Sequence, residues 1–81
     1  MRISILLFAR LRDLVGAPRL ERDVEAGATV EQVWAALARE FPAAAPHRAA
    51  LSAAVNAEYA KFSTRVADGD EVAFLPPVSG G

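Results

Sequence analysis

Hydrophobic and polar residues divide by parity along the first eight positions: Ile3, Ile5 and Leu7 on one side, Ser4, Leu6 and Phe8 on the other. This period of two predicts a strand from Arg2 to Ala9 whose first face is core. Leu6 and Phe8 on the second face await a second layer or a partner. "RLRDLVGAP" reads as a short helical turn closed by Gly16, with Pro18 preventing continuation. "RLERDVE" predicts a second strand, in which Arg22 shares its parity with Leu20 and Val24. That pattern fits an exposed or edge strand, paired with the first as a hairpin.

The pattern changes to a helical one at "GATVEQVWAALAREFP". Val30, Val33, Trp34, Leu37, Ala38 and Phe41 follow i, i+3, i+4, i+7, i+8, i+11, and Thr29 with Gln32 three residues on has the form of a capping box. Pro42 ends the helix. In so short a chain its apolar stripe has only the sheet to pack on, which makes Trp34 a core residue. Residues Ala43 to Ala50 read as a loop with at most a weak helical turn. "SAAVNAEYAKF" predicts two short strands around an Asn-containing turn. Asp68-Gly69 marks a tight turn, and Val72 to Leu75 a buried strand stopped by Pro76.

A hairpin, one main helix across one face and a last strand returning beside the first make an α+β roll of the ubiquitin-like type. The expected division is a domain over residues 1–75 and an extended C-terminal tail over 76–81. The sheet face away from the helix carries Leu6, Phe8, Ala73 and Leu75, too apolar a patch to stand wholly in water without a reason.

Composition narrows the functions. With 53% hydrophobic and 23% charged residues the 81-residue chain is a folded domain. A net charge of -1 supplies no field for nucleic acid or an anionic membrane. The absence of Cys removes disulfides, thiolate nucleophiles and Cys-type metal sites. The apolar run near the start meets Arg10 and Arg12 without a small-residue cleavage site, so it is a strand rather than a signal peptide. No stretch approaches the ~20 apolar residues of a membrane span, and a cytoplasmic location is expected. His47 stands alone in a Pro/Ala-rich stretch and reads as a solvated loop residue. Asp68, Asp70 and Glu71 read as a solvated turn. No metal spacing, triad or phosphate loop is present.

The remaining feature is "FLPPVSGG". A terminal Gly-Gly arises by chance in roughly one chain in two hundred, and Ser-Gly-Gly also resembles linker sequence. Pro76 and Pro77 have restricted φ and no N–H donors, so they end the last strand and hold the final four residues away from the domain. Six extended residues reach about 20 Å. Val78 and Ser79 are small, and Gly80 and Gly81 lack Cβ, a build suited to a narrow channel. Such a channel would reach the Gly81 carboxylate, which becomes an electrophile once adenylated.

"LLFARLRDLVG", "LSAAVN" and "DGDEVAFLPPVSGG" together resemble the family of small, sulfur-carrying subunits of molybdopterin synthase, nearly end to end. The resemblance implies a β-grasp fold and a carrier that is not itself an enzyme. An activating enzyme similar to the ubiquitin-activating ones would adenylate Gly81 with ATP. Sulfur from a donor would replace AMP to give a thiocarboxylate. The tail, Pro76 to Gly80 with Gly81 at its tip, would then enter the large synthase subunit, where the active site is expected. Two copies of each subunit would assemble. No permanently bound cofactor or metal is implied. Phe8, Tyr59 and Leu75 fall where the family places apolar partner contacts, and the parity argument adds Leu6. Leu75 departs from relatives that carry an aromatic there.

Carriers of the same fold that serve thiamin, tRNA thiolation or cysteine synthesis share the Gly-Gly end. A ubiquitin-like binding module with an inert tail, and a modifier joined to lysine through an isopeptide bond, are the remaining readings.

Overall fold

The computed structural model describes residues 1–77. Its elements are β1 (Arg2–Leu7), α1 (Ala9–Val15), β2 (Arg19–Asp23), α2 (Val30–Glu40), a 3-10 helix (Pro42–Ala50), β3 (Ser52–Val55), β4 (Glu58–Ala60) and β5 (Glu71–Leu75). The strands form one mixed sheet in the order β2-β1-β5-β3-β4. β1 is antiparallel to β2 and parallel to β5, and β3 is antiparallel to both β4 and β5. This is the β-grasp roll expected from the sequence. The expected tail residues Val78, Ser79, Gly80 and Gly81 lie outside the described residues.

The parity of β1 holds. Ile3, Ile5 and Leu7 are buried and pack with Val72 and Phe74 of β5, Ala53 of β3, and Val30, Val33, Trp34 and Leu37 of α2. Trp34 meets Phe74 edge-on, with centroids 5.1 Å apart. It is a core residue, as the helical stripe requires.

The capping box at the start of α2 is complete: Gln32 N–H donates to Thr29 Oγ1 (3.2 Å), and Thr29 N–H donates to Gln32 Oε1 (2.8 Å). The next two free N–H groups of the helix, on Val30 and Glu31, donate to the carbonyls of Thr64 and Phe62, both at 2.9 Å. The helix start thereby fixes the segment between β4 and β5 while satisfying its own orphan donors.

Three details depart from the sequence reading. The strand ends at Leu7, because Phe8 is the N-cap of α1, and Ala9, the first residue of that helix, has a φ of +49°. The β1–β2 hairpin therefore contains a whole helix, closed at Gly16 (φ +86°), whose N–H donates to the Arg12 carbonyl. β2 is an edge strand, as its pattern required; Arg22 is half-buried on the α2 side, where its Nε donates to Glu40 Oε1 at 2.9 Å. Residues 43–50 are not a loop but part of the 3-10 helix, which starts on Pro42 and buries Ala44 completely. A first-turn proline suits that start, because the missing N–H has no helical acceptor to lose. Arg48 holds this helix in place. It forks onto Glu31, with Nε 2.9 Å from Oε2, and lies 3.4 Å above the Phe62 ring.

The two predicted turns are present. Asn56 and Ala57 join β3 to β4 with φ of +50° and +70°, the left-handed pair of a tight hairpin turn. Gly69 has φ of +86°. The acidic cluster around it is structural. Asp68 accepts from Arg2 N–H (2.7 Å), Asp70 from Ala67 N–H (2.7 Å) and from Asn56 Nδ2 (2.9 Å).

Candidate functional site

Both α-helices and the 3-10 helix leave one sheet face uncovered, and strand register places its residues. Leu6 pairs with Arg19 of β2 and with Ala73 of β5, Ala73 with Ala54 of β3, and Ala54 with Tyr59 of β4. Directly paired residues project to the same side. Arg19, Leu6, Ala73, Ala54 and Tyr59 therefore form one row across all five strands. Neither Ala54 nor Ala73 belongs to the helix-side core.

One step nearer the C-terminal end of β5, Leu75 pairs with Ser52, and Phe8 follows Leu7 in an extended conformation alongside. Phe8 is 43% exposed and Tyr59 84%, the two large hydrophobic residues exposed among those described. Leu6 and Leu75 are half-buried. The four residues expected to meet a partner are thus brought to one face, beside the point where Pro76 leaves β5. Pro76 and Pro77 continue from it outside any strand.

The opposite end of this face is ionic, a feature that no pattern in the chain announces. Ser4 Oγ donates to Glu21 Oε2 (2.7 Å) and accepts from Arg19 Nη2 (2.9 Å), while Arg19 Nη1 reaches Glu71 Oε2 at 3.0 Å. The Ser4 hydroxyl, aided by Arg19, holds the Glu21 carboxyl below its ordinary value against the opposing effect of burial. Glu21 and Glu71 in turn raise Arg19. Ser4 is the irregularity between Ile3 and Ile5, and only the register with β2 shows why a polar residue is buried there. The face is consequently divided, apolar at the root of the tail and charge-paired away from it.

Other candidate centres carry less. Among the described residues no group of three His, Cys, Asp or Glu is placed to hold a metal ion. An open groove of about 490 Å³ lies between the end of β2 and α2, lined by Asp23, Val24, Gln32 and Arg39 among others. It is on the helix side of the sheet. No helix among the described residues is long and apolar enough to cross a membrane.

A β-grasp roll with an uncovered apolar face at the base of a glycine-ended tail is a ubiquitin-like protein. The chain belongs to the ThiS family, which matches residues 5–81. It is 39% identical over 79 residues to the molybdopterin synthase sulfur carrier subunit of Arabidopsis thaliana, covering 98% of this chain and 82% of the plant protein. To the subunit of the same name from Escherichia coli K12 it is 41% identical over 81 residues, covering 98% and 99%. Among solved structures, SAMP1 from Haloferax volcanii superposes with a TM-score of 0.86 at 31% identity, covering 100% of both chains.

Proposed function

We propose that this protein carries sulfur for molybdopterin synthesis on the carboxylate of Gly81. The observation that carries this reading is the position of Leu6, Phe8, Tyr59 and Leu75: half-buried or exposed apolar side chains on the sheet face away from the helices, at the end of β5 from which Pro76 departs. A carrier must dock a partner while passing its C-terminus into that partner's active site, and this layout does both. Its full-length relatives, which are sulfur carrier subunits of a synthase, point the same way.

An adenylating enzyme spends ATP to convert the Gly81 carboxylate into an acyl-adenylate. A sulfide-level sulfur donor then attacks the carbonyl carbon; the C–S bond forms, the bond to AMP breaks, and a thiocarboxylate remains. Leu6, Phe8, Tyr59 and Leu75 dock on the large synthase subunit, while Pro76, Pro77, Val78, Ser79 and Gly80 present Gly81 to its active site. This chain supplies no acid, base or metal to the transfer, which takes place on the larger partner. Two copies of each subunit form the working assembly, in the cytoplasm.

Deleting Gly81 tests the proposal. Sulfur transfer in a reconstituted synthase should vanish while the unfolding midpoint stays unchanged, because no residue of the core is touched. Undiminished transfer by the truncated chain would refute it.

A second reading, a modifier joined to lysine through an isopeptide bond, is favoured by the likeness to SAMP1, which is named a small archaeal modifier protein. Both readings share the adenylate. They separate at the nucleophile, which is sulfur in one and a lysine amine of another protein in the other.

A further inference from the structure

We propose that Ala9 and Ala57 are positioning residues, whose left-handed backbones hold Phe8 and Tyr59 ready for the partner at a cost to the stability of the free domain. This rests on the docking role given above to Phe8 and Tyr59. Among the described residues two large hydrophobic side chains are exposed, Phe8 and Tyr59. Among the same residues two alanines have positive φ, Ala9 at +49° and Ala57 at +70°. One adjoins Phe8, and the other stands two residues before Tyr59. Both alanines are exposed, so core packing does not call for their methyl groups. Glycine is the ordinary occupant of such a backbone, having no Cβ to meet the following carbonyl. The chain does place glycine at 16, 27 and 69, where φ is +86°, +82° and +86°.

The backbone around Ala9 shows what the constraint does. Leu7 is buried and paired with Phe74 of β5, and its N–H donates to the Pro18 carbonyl at 2.9 Å. Leu11, buried in the core, fixes the first turn of α1. Phe8 is confined between them. It is extended (φ -125°, ψ 155°), and its carbonyl accepts from the N–H groups of Leu11 (3.1 Å) and Arg12 (3.4 Å). The chain therefore turns from strand to helix at Ala9, directly after a side chain on the open face. Alanine has only a small left-handed basin, whereas glycine opens the rest of the map. Ala57 acts on the hairpin in the same way. With Asn56 (φ +50°) it forms the two-residue turn that sets Glu58 opposite Val55 and Tyr59 opposite Ala54. A turn confined to the left-handed pair holds that register, and with it the place of Tyr59 in the row with Leu6.

Preorganisation connects the backbone to binding. A side chain already held in its bound arrangement loses less freedom on association, so narrowing the backbone beside each aromatic residue tightens docking. The same left-handed Cβ contact lowers the stability of the folded domain. Stability and affinity are thereby set against each other at positions 9 and 57.

The test compares Ala9→Gly and Ala57→Gly with the parent, all as full chains, by calorimetric titration with the large synthase subunit and by thermal melts of the free chain. The expected result for each is a higher unfolding midpoint together with binding weaker by about 2–5-fold, the effect of the extra freedom of one glycine. Asparagine enters the left-handed region more readily than alanine and is less free than glycine. Ala9→Asn and Ala57→Asn should therefore raise the midpoint and keep the parent's affinity. Phe8→Ala and Tyr59→Ala are the references. Parental binding by a glycine variant, with weaker binding by its aromatic reference, would overturn the inference at that position and leave the docking role intact. Parental binding by the two aromatic references would overturn both. A lower midpoint in the glycine variants would also overturn the inference, because weaker binding would then report a loosened fold rather than a lost constraint.

Discussion

Tyr59 stands opposite Ala54 in the β3–β4 ladder and, through it, in one cross-strand row with Leu6 on β1. An 84% exposed tyrosine gains nothing for the fold from that position. The proposed docking role suits it, since tyrosine anchors are over-represented among the residues that dominate binding energy.

Tyr59→Ala should weaken binding of the large synthase subunit by about 2 kcal/mol, with no shift in the unfolding midpoint. Titration calorimetry paired with thermal melts measures both. Equal binding by the variant would remove Tyr59 from the interface.

The core makes the opposite prediction. Phe74 is fully buried, edge-on to Trp34 and stacked on Phe62 at 6.2 Å. Phe74→Ala should cost about 3–5 kcal/mol, most of the stability of a domain this small. Urea titration should show the midpoint collapse, and a loss under 1 kcal/mol, on the order of an exposed-site change, would contradict the packing described.

Ala57 offers a stabilising change. It holds φ of +70°, where a side chain costs roughly 1–2 kcal/mol. Glycine removes that strain but adds freedom to the unfolded chain, offsetting about 0.5–1 kcal/mol. The net expectation for Ala57→Gly is a gain of about 0.5–1 kcal/mol, read as a higher melting temperature. A lower one would mean that the turn is not of the left-handed type.

Acid should destabilise the fold through three glutamates. Ser4 and Arg19 lower Glu21, Arg48 lowers Glu31, and Arg22 lowers Glu40, each from an ordinary value of 4.5. A carboxyl depressed in the folded state contributes stability that is fully present above its unfolded value and disappears as pH falls through the folded one. Stability should thus be flat with respect to these groups near neutrality and decline below 4.5. The groups are exposed and the effect should shrink in high salt. Unfolding midpoints across that range should fall less steeply in a Glu21→Gln, Glu31→Gln, Glu40→Gln variant. An identical slope would show that these pairs are not formed in solution.

The residues differ in how much of this they disclose in sequence. Ile3, Ile5 and Leu7 declare a buried strand because one parity is enough to sort core from surface, and Thr29 with Gln32 declares a helix start because both partners lie within one turn. The 3-10 helix at Pro42–Ala50 escapes because two prolines and a run of alanines carry no periodic signal; it is held by Arg48 on Glu31 and Phe62, residues distant in the chain. The Ser4, Arg19, Glu21 and Glu71 network escapes for the same reason. It is a consequence of register between strands, which spacing within one strand does not encode. Leu6, Phe8, Tyr59 and Leu75, the proposed partner residues, lie between these cases. Leu6, Phe8 and Leu75 follow from parity and from the strand that ends the domain, whereas Tyr59 rests on the family resemblance alone until its pairing with Ala54 puts it on their face.

The most direct measurement is the intact mass of the full chain after incubation with ATP, its adenylating enzyme and a sulfur donor, with subsequent fragmentation of the C-terminal peptide. The carrier account predicts one oxygen exchanged for sulfur, localised to Gly81. A carboxylate that remains unmodified under those conditions would contradict it and leave a ubiquitin-like binding module in its place.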